Sequence, residues 1–440
     1  MFSEYRTIPG EAKLLVFLNF IPSIAIGLIY TDISYFLTKV QGLTPGFAAS
    51  VIMVMGITMV IVSVPIGILA DRYGRRKFLI IGNLLASLTL TMFSLTTNAV
   101  LLFVAAIVEG TTEAAFAAAG MALLAEKSGT TSRTPAFSLS SFLSNIAWGI
   151  GGFAIAVVVV FQSFGLSSRE SHVLLYFVVA ALSVATTPLL LRVSESRTSE
   201  SARSVGQFLP RKSRSILLRY AVTSALIALG AGLFVPLMTL WFSLAYGVSD
   251  ALSGPIIGVS GLLIAVTSLA APFLARRLGL VRAVVVTQLF STVFMISVPL
   301  SPTFAVAAEI YTVRSFLMNL SNPLISSMIM GLVTEDERGA ASGLNAAIWK
   351  FPNSISTGIG GAMMQVGLLA LPFYLAAALY VASISLFWFF FHRTVLPEEE
   401  VRTASPESQV VDSPTISSMS RGSGVQSPSD AGRRPGPPPA

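Results

Sequence analysis

Six ionisable residues interrupt long apolar stretches of this chain: Asp32, Glu109, Glu113, Glu309, Arg314 and Lys350. A charge at the centre of a bilayer costs roughly 2.5–3.5 kcal/mol on insertion scales, so it normally faces a cavity or a partner. Glu109 and Glu113 stand four residues apart and therefore share one face of a helix. Two desolvated carboxylates so close cannot both ionise cheaply, which suits them to binding a proton on one side of a membrane and releasing it on the other. Arg314 would compete with that proton by pairing with whichever acid is ionised. A static buried salt bridge is the competing reading. Asp32 falls toward the outer end of its helix, where it either lines a cavity or touches water. Glu309 falls near the outer mouth and reads as a solvated group. Lys350 sits mid-helix and either contacts an anionic solute, snorkels, or pairs with an acid. Asn319, Asn322 and Pro323 follow Arg314. The proline frees a backbone carbonyl, which the amides either satisfy or leave in order to contact solute. Tyr30, Tyr35, Phe36, Trp241 and Phe242 form either a stacking platform for a lipophilic guest or an interfacial aromatic belt.

The elements that must position these residues are transmembrane helices. Hydrophobic residues make up 54% of the 440 and charged ones only 11%, against about 25% charged in soluble domains. Twelve spans are expected, at about 14–38, 46–70, 78–97, 99–126, 138–162, 173–192, 216–243, 253–275, 284–300, 303–332, 340–364 and 371–391, each near the roughly 20 residues that cross a bilayer. An even number places both termini on one side. Of the 28 bases, 24 fall in segments on that side, two on the other (Lys39 and Arg169), and Arg314 and Lys350 within the membrane. Bases stay cytoplasmic, so a multi-pass protein of the cell membrane with both termini cytoplasmic is expected. The same bias explains the formal net charge of +7 without a nucleic-acid partner. Glu4, Arg6, Glu11 and Lys13 lead into a run too long for a signal-peptide core, so this run reads as the first span.

The expected domains are a first six-helix bundle over 1–192, a polar linker over 193–215, a second bundle over 216–393 and a tail over 394–440. The tail is rich in Ser, Pro and Gly, which reads as disordered. A shift of 205 positions relates the two bundles: Gly27, Gly42, Gly56 and Gly74 fall on Gly232, Gly247, Gly261 and Gly279. It lays Arg133 on Arg338, Asn145 on Lys350 and Glu109 on Arg314. Pseudo-twofold mates approach the axis at similar depth, so Glu109 and Arg314 are expected to meet there. Gly149-Ile-Gly-Gly152 needs a shift of 209 to reach Gly358-Ile-Gly-Gly361, through an insertion of one helical turn or by chance.

Between the second and third spans stands Gly67-Ile-Leu-Ala-Asp71-Arg72-Tyr-Gly74-Arg75-Arg76-Lys77. Its glycines permit close packing and a tight reversal. The pattern resembles the loop between helices 2 and 3 of the major facilitator superfamily. That resemblance implies twelve helices in two pseudo-symmetric six-helix bundles, with the solute site near the midplane between them. It also implies that helices 1, 4, 7 and 10 line the cavity, and five of the six intramembrane charges fall on those. By motif position Asp71 is expected to latch the base-rich side against the start of helix 11, after Arg338. The second copy carries Arg276 in place of the acid, so gating is expected to be asymmetric. Glu109 before Gly110 stands where proton-driven drug exporters of the superfamily carry an Arg, and no proline follows the Gly149–Gly152 stretch.

No cysteine is present, which excludes disulfides and thiolate metal sites. The two histidines, His172 and His392, fall at opposite membrane edges, so no histidine triad or metal cluster is expected. No phosphate-binding Gly-x-x-x-x-Gly-Lys-[Ser/Thr] loop occurs. The expectation is therefore a transporter and not an enzyme, with no cofactor and no metal, working as a monomer on ion or solute gradients. If ionised, the intramembrane candidates supply four acids against two bases. That favours proton-coupled export of a neutral or cationic lipophilic compound. Symport or uniport of a carboxylate-bearing metabolite, held by Arg314 and Lys350, is the alternative. A transport-inactive sensor is the remote one.

Overall fold

A computed structural model describes residues 7–129, 132–195, 213–333 and 338–393. Twelve helical segments run through these residues: α1 (Gly10–Val40), α2 (Pro45–Tyr73), α3 (Arg75–Leu95), α4 (Ala99–Ser128), α5 (Arg133–Ala154 continued by Val157–Ser163), α6 (Ser168–Leu190), α7 (Arg214–Tyr246), α8 (Asp250–Leu278), α9 (Leu280–Leu300), α10 (Phe304–Leu332), α11 (Arg338–Gln365) and α12 (Leu371–Phe391). Among the described residues nine are long and apolar enough to cross a membrane. Each segment falls within a few residues of its expected span. Residues 196–212 of the expected linker, and the expected tail from 394, lie outside the described residues.

Local chemistry sets where the helices begin and end. The Thr44 hydroxyl accepts from the Phe47 amide at 3.2 Å, with Pro45 in the first turn. The Asn98 side chain accepts from the amides of Val100 and Leu101. Ser167 and Glu170 form a reciprocal capping box at the start of α6. The α2–α3 reversal turns on Gly74 at φ 111°, and the α8–α9 reversal on its repeat mate Gly279 at φ 77°, a region side chains avoid. In α7 the helix breaks after Gly232, because Pro236 lacks the amide that would serve the carbonyl four residues earlier.

Glycine packing shows the internal repeat. A Cβ on Gly27 of α1 would strike the backbone of Trp148 in α5, and one on Gly232 of α7 would strike that of Asn353 in α11. Trp148 and Asn353 are themselves 205 apart. Between the two sets of six helices, Gly56 packs on Ser354 and Gly261 on Gly149, which is one contact repeated with the sets exchanged. Gly258 beside Phe153 and Gly358 beside Met53 repeat it again at the same shift. The 205 register therefore persists through α5 and α11. The Gly-x-Gly-Gly likeness at 209 is chance, not an inserted turn.

The helices pack so that α2 lies along α11 and α5 along α8. The small-residue contacts just named fall in the helix halves nearest the loops that follow odd-numbered helices, here called the far side. The opposite, base-rich side carries the Asp71 turn. There α2 exposes Ile61, Val64 and Leu69, whereas its far half buries Ala48, Ala49, Ile52 and Met55. Glycine lets the backbones close to van der Waals contact on the far side, and the described contacts give a chamber closed there.

Candidate functional site

Among the described residues, three interior polar groups hold acids. The first joins the two sets of helices. The Glu113 carboxylate of α4 accepts from the Lys350 ammonium of α11 at 2.8 Å through Oε1 and from the Tyr30 hydroxyl of α1 at 2.8 Å through Oε2. Lys350 also donates to the Tyr30 oxygen at 2.7 Å and lies 4.5 Å from the ring centroid. The side chains of Lys350 and Glu113 keep 20% and 19% of their exposure. They are desolvated enough to hold the pair, yet they are not sealed off. Of the readings open for Lys350, the structure selects pairing with an acid. Below Glu113, α4 widens into a π-helical turn over Phe116–Gly120, a distortion that recurs at functional positions.

The second group is Glu109, one turn away on the same helix. It is buried and accepts a hydrogen bond from Thr89 of α3. Both carboxylates line a small pocket among α1, α3, α4 and α6, together with Asn83 and Ser183. Asn83 is fixed there by donating to the Ser183 carbonyl at 2.6 Å and to the Thr187 hydroxyl at 2.9 Å.

Arg314 does not meet Glu109. It is buried, donates to the Tyr380 hydroxyl at 2.7 Å, and lies 4.9 Å above the Phe234 ring. Its Nε has no hydrogen-bond partner and it forms no ion pair among the described residues. Equivalent positions in the repeat point into equivalent places. Glu109 sits within the first six helices and Arg314 within the last six, so the expected acid–base meeting fails for a reason of symmetry. Asn319 donates to the Ser315 carbonyl of its own helix and Asn322 to the Asn319 side chain, so both amides serve α10 itself. Glu309 is exposed. Trp241 and Phe242 belong to the core: the indole donates to the Leu369 carbonyl at 2.9 Å, and Phe242 packs on Phe304 and Tyr311. They form neither a belt nor a platform.

The third group was not expected. Asp32 of α1, His172 of α6 and Asp250 of α8 bring one ligand-type atom each within 4.8 Å of one another, all buried. His172 Nε2 lies 2.6 Å from Asp250 Oδ2, and Nδ1 lies 2.6 Å from the Ser168 carbonyl. Tyr176 donates to Asp32 Oδ2 at 2.8 Å, while Asp32 Oδ1 has no partner. The expectation that no histidine cluster can assemble is thus overturned, as is water contact at Asp32, which is 0% exposed. His172 and His392 do lie at opposite edges, but the end of α1 and the start of α8 carry acids to the edge that holds His172. Asp250 looked like an acid in the first turn of a helix. Only the twelve-span topology, which puts all three at far-side ends, hinted at the association.

At the base-rich turn, Asp71 accepts from Arg75 at 2.7 Å and keeps 52% exposure. The Arg75 amide donates to Glu195 at 2.6 Å, and its guanidinium stands 3.4 Å from Glu126 at the end of α4. Arg76 donates to the carbonyls of Leu191 and Val193. Gly67 packs against Ala118, and Arg72 lies over the Tyr73 ring. The turn is therefore tied to α4 and to the segment that follows α6. The Arg338 side chain lies outside the described residues, and Asp71 makes no described contact with α11.

The fold and the sequence both have relatives. A structure of a point variant of the nucleoside transporter NupG superposes with TM-score 0.72 at 14% identity, covering 87% of this chain and 100% of that one. A bacterial homolog of the human lysosomal transporter Spinster, inward-facing and unoccupied, gives 0.68 at 12% identity, covering 86% and 94%. The same homolog, inward-facing and occupied, gives 0.66 at 14%, covering 88% and 96%. No curated protein matches the sequence. The sequence profile of the Major Facilitator Superfamily matches residues 15–357. With twelve helices, the α2–α3 turn and a profile match over most of its length, the chain belongs to the Major Facilitator Superfamily, whose fold supports secondary transport by alternating access.

Proposed function

We propose that the protein carries a small organic solute across the cell membrane coupled to protons, with Glu113 as the coupling acid. The base-rich side is taken as cytoplasmic. The reading rests on the junction of Tyr30, Glu113 and Lys350, an ion pair that spans the two sets of helices where they must separate and rejoin. Protonating Glu113 removes the charge that holds Lys350. A solute whose acceptor reaches Lys350 does the same. Proton and solute therefore act on one contact, as coupled transport requires.

The junction changes the charge argument for the cargo. Lys350 neutralises Glu113, Asp32 lies in the far-side cluster and Glu309 is exposed. The excess of acids that favoured a cation is gone, and an uncharged or zwitterionic solute fits better. The fold-level likeness to a nucleoside transporter is compatible with such a cargo. A carboxylate-bearing solute is the second reading, supported by Arg314, a buried cation without an acid partner among the described residues.

The test begins with a thermal-shift screen of solutes on detergent-purified protein at two pH values. A hit is then applied as a gradient to proteoliposomes containing a trapped pH dye. The expected result is a solute-driven pH change that Glu113→Gln abolishes while the thermal shift persists. An undiminished pH change in Glu113→Gln would remove the coupling role.

A further inference from the structure

We infer that Asp32, His172 and Asp250 form a proton-binding gate on the far side, separate from Glu113, whose closure takes up a proton from that side. The geometry carries this through hydrogen-bond stoichiometry. The Ser168 carbonyl has only lone pairs, so His172 Nδ1, at 2.6 Å from it, must carry a hydrogen and donate. Nε2 lies 2.6 Å from Asp250 Oδ2. That contact needs a second hydrogen, either on the imidazole facing a carboxylate or on Asp250 facing an Nε2 lone pair. Neutral imidazole beside ionised Asp250 would set lone pair against lone pair at that distance. The closed cluster therefore holds one proton more than the separated neutral imidazole and carboxylate.

Asp250 begins α8, in the last six helices, whereas His172 and Asp32 belong to the first six. Opening the far side pulls Asp250 from His172. The imidazolium then gives its Nε2 proton to far-side water, and both partners become hydrated. Closure reverses each step, so proton uptake and closure are one equilibrium. The titratable groups facing His172 are Asp32 and Tyr35 from α1, Asp250 from α8 and Tyr176 from its own helix. No Lys or Arg ion-pairs with the cluster among the described residues. Asp32 Oδ1 has no hydrogen-bond partner, and its carboxyl lies within 4.8 Å of the His172 and Asp250 ligand atoms, close enough to bias the proton they share.

The repeat isolates the device. The mates of Asp32, His172 and Asp250 at the 205 shift are Leu237, Ala377 and Pro45, so these positions of the pseudo-equivalent seam carry no titratable group. One seam responds to protons and the other does not.

Because the chain has no cysteine, spin labels can be placed at will on the full-length protein in lipid nanodiscs. Thr97→Cys and Val366→Cys put one label on each set of helices, at exposed far-side positions. Pulsed electron–electron resonance from pH 5 to 9 is expected to show the closed-to-open ratio falling as pH rises, by up to tenfold per unit for one linked proton. Asp250→Asn keeps the contact by donating its amide hydrogen to neutral Nε2, so its far side should stay closed at every pH. His172→Gln should also lose the pH response, and Asp32→Asn should move the midpoint to lower pH. Glu113→Gln should retain the response, which separates this gate from the coupling proposed above. A wild-type ratio that ignores pH would overturn the inference, as would unaltered pH dependence in both Asp250→Asn and His172→Gln. Opening by a chelator at low pH would assign the cluster to a divalent metal instead.

Discussion

Removing either partner of the Glu113–Lys350 pair should destabilise the protein, and removing both should cost less than the two single losses added together. The ammonium and carboxylate stand 2.8 Å apart. At an effective dielectric of about 20 this separation gives a gross attraction of about 6 kcal/mol. Desolvation of both groups offsets much of it, and deleting one member of a buried pair typically costs about 3–5 kcal/mol through the charge left behind. With about a fifth of each side chain still exposed, water relieves part of that cost, so about 2–4 kcal/mol is expected for each single variant. Glu113→Gln should fall at the lower end, because Lys350 retains the Tyr30 oxygen at 2.7 Å. Lys350→Met should fall at the upper end. The double variant should cost no more than the worse single one, a coupling energy of about 2–3 kcal/mol. Reversible unfolding of the purified protein in mixed micelles, as the fraction of denaturing detergent rises, measures all four corners of the cycle. Single-variant losses that add within about 0.5 kcal/mol would show that the pair does not hold the two sets of helices together, and the coupling argument would lose its mechanical basis.

Arg314→Met should behave in the opposite way. Arg314 has no acid partner among the described residues and its Nε is unsatisfied, so an apolar replacement should be neutral or raise stability by about 1 kcal/mol, read in the same unfolding assay. A Cβ added to Gly152 would lie 2.8 Å from the Gly258 nitrogen and 2.9 Å from its Cα. Gly152→Ala must therefore part α5 from α8 at a cost of about 1–3 kcal/mol, with a lower melting temperature and a longer far-side label distance. Asn83→Ala removes the donors serving Ser183 and Thr187 and should cost about 1–3 kcal/mol in the same assay. Asp71→Asn should change the unfolding free energy by less than about 0.5 kcal/mol, because its one described ion pair is exposed and within a single turn of helix. A larger loss would mean that Asp71 is already latched in this conformation.

The sequence alone determined the class, the helix count, the approximate spans and the repeat. Lipid forces every backbone polar group to pair within a helix, so length and hydropathy are nearly sufficient. It also singled out the intramembrane ionisable residues, because their insertion cost makes them conspicuous wherever they point. Direction is another matter. Whether Glu109 meets Arg314 depends on how the repeat axis orients side chains, and the tertiary structure sends each into its own set of helices. Lys350 found Glu113 because α11 and α4 converge on Tyr30, a three-helix meeting that no spacing along the chain encodes. His172 and Asp250 read as ordinary residues at helix ends, 78 positions apart. Their hydrogen bond exists only because the far-side ends of α6 and α8 are pressed together beside Asp32. Composition is a one-dimensional property and survives in the sequence, whereas the pairing of charges is set by packing between helices.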